Sequence, residues 1–102
     1  MHKDDAEFIS IRSEDIQHIS DLSRFSRLTT LVLSMNKIER ICNLPPSLRL
    51  LDLSQNLIKD IPKLETPNLE RLYLDVNQIT KINGMDSCRN LTVLSMNNNK
   101  LT

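Results

Sequence analysis

Apolar residues fall at fixed intervals from Leu28 onward. Leu28, Leu31, Leu33, Asn36, Ile38, Ile41 and Leu44 return as Leu48, Leu51, Leu53, Asn56, Ile58, Ile61 and Leu64, then as Leu69, Leu72, Leu74, Asn77, Ile79, Ile82 and Met85. A further copy opens with Leu91, Leu94, Met96, Asn99 and Leu101. Successive copies begin at residues 28, 48, 69 and 91, giving periods of 20, 21 and 22 residues. Units of this length are single supersecondary elements that stack to bury a continuous core. Worked backwards, the same offsets pick out Ala6, Ile9, Ile11, Ile16, Ile19, Leu22 and Phe25, with Glu14 in the place of the asparagine. This is a degenerate first repeat. A terminal unit faces water on one side, so its positions relax towards small or polar residues. The pattern predicts one domain over residues 1–102: a capping repeat at 6–27, full repeats at 28–47, 48–68 and 69–90, and an incomplete repeat at 91–102.

Each unit predicts its own elements. The L-x-x-L-x-L segment is a short alternating strand, so Leu31 and Leu33, Leu51 and Leu53, and Leu72 and Leu74 point inward while the residue between points out. The asparagine that follows turns the chain. Its amide both donates and accepts, and can satisfy backbone groups that the bend would leave unpaired inside the stack. Asn36, Asn56, Asn77 and Asn99 are therefore expected to form a ladder. Prolines 45, 46, 62 and 67 interrupt the return half of the units, removing donors and disfavouring helix before them. The stretch from Gly84 to Arg89 is too short to form a stable helix alone. A thin convex side of extended or short 3₁₀ segments is expected.

Charge adds little direction. Thirteen Lys and Arg balance thirteen Asp and Glu, so no global field favours nucleic acid or an anionic membrane, and no basic stripe with stacking aromatics is present. The start, MHKDDAEF, has no charged region followed by an apolar one, and the leucines are spaced rather than continuous. No signal peptide or membrane span is predicted, and an intracellular, cytoplasmic location follows as the expectation. Cys88, counted as the twentieth position with Phe25, Ser47 and Pro67 as equivalents, lies two units from Cys42 at the fifteenth. Strands about 4.8 Å apart put those units near 10 Å from each other, beyond the roughly 7 Å reach of a disulfide. Both thiols are expected to be free, in a reducing compartment. The triplet Asn90-Leu91-Thr92 matches a glycosylation acceptor, a pattern that arises readily by chance.

Catalytic signals are missing. His2 and His18 are isolated, neither cysteine has a histidine at a ligand-like or triad-like spacing, and with Gly84 as the single glycine there is no phosphate loop. No enzyme activity, metal site or cofactor is expected.

Four agreeing asparagine registers and the I-x-x-I-x-x-L tail after each of the first three resemble the short, 22-residue class of leucine-rich repeats. That class occurs in the regulatory family that binds protein phosphatase 1 and in ciliary, centrosomal and mitotic scaffold proteins. The resemblance covers residues 6 to 102. One junction departs from it: Leu44-Pro45-Pro46-Ser47-Leu48 is similar to the proline-bearing 20-residue repeats of bacterial effectors. The resemblance implies an α/β solenoid, a right-handed horseshoe with a parallel concave sheet, and the function of an adaptor or regulatory scaffold with ciliary, centrosomal or cytoskeletal relatives. A ribonucleoprotein role, gripping an RNA-binding domain, is the alternative that another short-repeat family implies.

In such a horseshoe the outward strand residues form the concave face, at positions three, five, seven and eight counted from the first leucine. Row three reads Phe8, Thr30, Leu50, Arg71, Val93; row five reads Ser10, Val32, Asp52, Tyr73, Ser95. Val32, Met35, Leu50, Tyr73 and Val76 are expected to form an apolar patch edged by Asp52, Arg71 and Asp75, the arrangement of a protein interface with polar rim. Tyr73, the single tyrosine, is the expected anchor. Glu39, Arg40, Lys59, Asp60 and Lys81 lie on the flanks and read as solvation. The last repeat stops partway round, at Thr102. Such an end exposes apolar surface and a strand edge, and predicts either continuation into a longer protein or docking on another chain, self-association included.

Overall fold

The computed structural model describes residues 5–102; His2 and the rest of the first four residues lie outside it. Five strands, β1 (Phe8–Ser10), β2 (Thr30–Val32), β3 (Leu50–Asp52), β4 (Arg71–Tyr73) and β5 (Val93–Ser95), form one sheet in chain order. Every pairing is parallel, and the register is the repeat itself: Ile9 lies beside Leu31, Leu31 beside Leu51, Leu51 beside Leu72 and Leu72 beside Leu94. Parallel strands need a crossover between them, and here each crossover is the remainder of one unit. The result is a solenoid with almost no helix.

Packing follows the period. Leu31, Leu51 and Leu72 from the strands, Leu28, Leu48 and Leu69 before them, and Ile38, Ile58 and Ile79 after the asparagines are completely buried in one cluster. Ile19, Ile41 and Ile61 close it from the return side. Their counterpart on the return side of the fourth coil, Ile82, is 58% exposed. In the first coil, Ile9, Ile16, Leu22 and Phe25 are partly buried against the core.

The asparagines form the expected ladder. The Asn56 side chain donates to the carbonyl oxygens of Leu53 in its own coil (2.9 Å) and Leu33 in the coil before (3.1 Å), and its oxygen accepts from the Ile38 N–H at 3.0 Å. Asn77 repeats this with Leu74, Leu53 and Ile58, and Asn99 with Met96, Leu74 and Ile79. Each rung serves the backbone of the preceding coil. Asn36 accordingly accepts from the N–H groups of Glu14 and Ile16, and Glu14 itself holds the asparagine's place in the first described coil.

The return halves are turns. Each ends in one tight turn closed on the first leucine of the next unit: Leu28 N–H to Phe25, Leu48 to Pro45, Leu69 to Thr66 and Leu91 to Cys88. This corrects the equivalence drawn by counting forward from each unit's start: the partners of Cys88 are Phe25, Pro45 and Thr66, not Ser47 and Pro67. The length differences between repeats are absorbed upstream of this turn, so only counting back from the next leucine keeps register. Thr66 and Cys88 are buried and touch at 3.7 Å. Both cysteines are free thiols, Cys42 exposed and Cys88 buried. Gly84 has φ +79°, and a Cβ there would collide with the Pro62 carbonyl of the coil before, so no other residue fits unchanged.

Candidate functional site

Strand alternation sets the face opposite the core. Leu31, Leu51 and Leu72 face inward with no exposure, so the neighbours at positions three and five face outward. The structure brings Leu50, Asp52, Arg71, Tyr73, Asp75 and Val76 together over β3, β4 and the turn after β4, with Met35 alongside in the second coil. Met35 and Val76 are each 44% exposed and Arg71 is exposed; Leu50, Asp52, Tyr73 and Asp75 are half-buried.

One member does not fit. Val32 is 7% exposed, and Ser34 beside it in the sequence is buried as well, so Val32 underlies the patch instead of presenting surface to it. The pleat determines which way a side chain points, whereas its depth depends on neighbouring coils. Sequence reasoning also passed over Phe8, 64% exposed, and Val93, 36% exposed, on the same face. Their signal was their place in row three.

The rim charges differ in their freedom. Asp75 accepts from the Ser95 hydroxyl and the Asn97 N–H, both at 2.7 Å, and thereby pins the fifth coil to the fourth. Asp52 accepts the Ser54 N–H at 3.0 Å within its own turn. Arg71 has no ion-pair partner among the described residues, although the Arg49 guanidinium one coil away pairs with Glu70 at 2.7 Å.

Position eight has a backbone property invisible in the residue types. Ser13, Met35, Gln55, Val76 and Asn98 all have φ between 57° and 60°. This left-handed conformation turns the chain while the N–H stays in the ladder: Met35 donates to Ser54, Gln55 to Asp75 and Val76 to Asn97. Such a conformation is uncommon for any residue but glycine, and a strained outlier for a β-branched one. It raises Met35 and Val76 at the border of the face.

Away from this face, an open groove of about 450 Å³ is lined by Glu39, Arg40, Ile41, Cys42, Leu57, Lys59, Asp60 and Pro62. Its lining mixes charges of both signs with apolar side chains. Asp21, on the return half of the first coil, has its carboxyl held below the usual range by the Ser23 hydroxyl and then by the Ser23 N–H. Among the described residues no group of three His, Cys, Asp or Glu can hold a metal, and no helix is long and apolar enough to cross a membrane.

Two stretches, residues 46–87 and 67–102, match the family described as leucine-rich repeats (2 copies), together more than half of the chain. The chain is 32% identical over 96 residues to leucine-rich repeat-containing G-protein coupled receptor 5 of Rattus norvegicus, covering 87% of this chain and 11% of that protein. It is 45% identical over 64 residues to leucine-rich repeat-containing protein 43 of Mus musculus, covering 58% of this chain and 10% of that protein. The chain thus spans about a tenth of the length of either relative.

Proposed function

The chain belongs to the leucine-rich repeat family, and we propose that it is a non-catalytic module that holds a partner protein on its concave face, as an intracellular adaptor or regulatory scaffold. Leucine-rich repeat domains generally mediate protein–protein interaction. The observation that carries the reading for this chain is the surface around Tyr73: a half-buried aromatic ring with exposed Val76 and an Arg71 that has no ion pair among the described residues. Aromatic and arginine side chains at the centre of an apolar patch dominate binding energy in protein interfaces.

The test uses paired variants. Tyr73→Ala with Met35→Ala is expected to abolish capture of the partner from cell extract, with the thermal midpoint nearly unchanged. Truncating a central aromatic anchor costs about 2 kcal/mol or more, some thirtyfold in affinity. Glu39→Ala with Lys59→Ala, on the groove of the other side, is expected to leave capture intact. Partners lost only with the second pair would move the binding site to that groove and overturn the reading.

A further inference from the structure

The composition of row three points to the kind of partner, given the reading of the concave face as the binding surface. Strand pairing sets Phe8, Thr30, Leu50, Arg71 and Val93 side by side in one line across the sheet. Apolar and polar residues alternate along it. Phe8, Leu50 and Val93 stand on β1, β3 and β5, while Thr30 and Arg71 stand on β2 and β4. Both ends of the row are open to solvent and Leu50 is half-buried at its centre.

The interval between the apolar members selects a backbone. Neighbouring strands lie about 4.8 Å apart, so the apolar members recur about every 9.6 Å. In an α-helix, residues i and i+7 lie on the same face about 10.5 Å apart, and a modest tilt across the strands brings the two spacings into step. An extended chain rises about 3.3 Å per residue, so three residues cover the same interval and the third side chain points to the opposite face. A β-strand therefore cannot place successive apolar side chains on Phe8, Leu50 and Val93. A polyproline II chain could, since every third residue shares a face about 9.3 Å apart, but it has no residue on that face halfway between, over Arg71. A helix supplies both.

Charge narrows the sequence of that helix. Arg71 is exposed between Leu50 and Val93 and has no ion pair among the described residues. On a helix the residue three or four after an apolar one shares its face and lies about 4.5 to 6 Å along the axis, over the intervening strand. We propose that the occupant of the concave face is an amphipathic α-helix of the partner protein, lying across the strands with apolar side chains seven residues apart over Phe8, Leu50 and Val93 and a carboxylate over Arg71. From β1 to β5 the sheet spans about 19 Å, and three apolar positions seven residues apart span about 21 Å, so the helix needs roughly 15 residues or more. Asp52, one row over, favours a lysine or arginine on the flank of the helix.

Two display libraries of equal size decide the question with the domain as bait: one randomised over a single face of a helical hairpin, the other over a linear extended segment. The helical library is expected to yield the binders, with apolar residues seven apart and an acidic residue between them. Their affinity is expected to fall about tenfold or more for Phe8→Ala and for Val93→Ala, each with an unchanged thermal midpoint. Arg71→Glu should abolish binding, and replacing the binder's acidic residue by lysine should restore it. Binders arising only from the extended library, or helical binders indifferent to row three, would overturn the helix. If those binders are still lost with Tyr73→Ala and Met35→Ala, the concave reading survives. Binders lost only with Glu39→Ala and Lys59→Ala would end both.

Discussion

Position eight shows how much a single residue in this fold can owe to its place instead of its type. Serine, methionine, glutamine, valine and asparagine all take φ near +58° there, and those five side chains share no intrinsic preference for it. The chain must turn after each strand while its N–H still reaches the next coil, and the ladder imposes the conformation. Left-handed geometry costs an ordinary residue roughly 1 to 2 kcal/mol, more readily tolerated by asparagine, which Asn98 supplies one coil later. Val76→Asn is therefore expected to stabilise the protein by about 1 kcal/mol, read from the midpoint of chemical denaturation, while weakening partner binding through the loss of exposed apolar surface. A destabilised variant would mean that packing of the valine outweighs its backbone strain. No pattern of hydrophobic and polar residues could have revealed this position, because the constraint lies in the backbone.

At the scale of the coil, the strand and the asparagine after it form one unit, and its register was legible. Strand alternation gave both inward leucines and outward rows, since a period of two leaves no freedom about which side a residue takes. The asparagine was legible because an amide that both donates and accepts recurs at one fixed place in the repeat, just after the strand. Asn56→Ala should leave the buried carbonyls of Leu53 and Leu33 and the Ile38 N–H without partners, at a cost of roughly 1 to 3 kcal/mol. Gln55 is exposed beside it, and Gln55→Ala should change stability by no more than about 0.5 kcal/mol. Equal losses at the two positions would contradict the rung. Two features of the coil escaped sequence reasoning for physical reasons. The depth of Val32 depends on what adjacent coils place around it, and the equivalents of Cys88 depend on where each return half absorbs its extra residues.

At the scale of the whole molecule, stability accumulates coil by coil, since in a solenoid each unit touches only its neighbours. The same leucine should then matter differently along the stack. Leu51 at the centre has no exposure, whereas Leu94, paired in the same register on the last strand, is 38% exposed. Leu51→Ala removes packing from coils on both sides and should cost roughly 2 to 5 kcal/mol. Leu94→Ala loses contacts on one side only and should cost on the order of 1 kcal/mol. Urea titration followed by circular dichroism, with hydrogen exchange to locate the opening, would measure both. The central variant should loosen the whole stack and the terminal one only the last coil. Equal costs with global loss of protection in both would mean that the five strands behave as one cooperative block, and a partner helix lying across all of them would then meet a rigid surface instead of ordering a loose end as it binds.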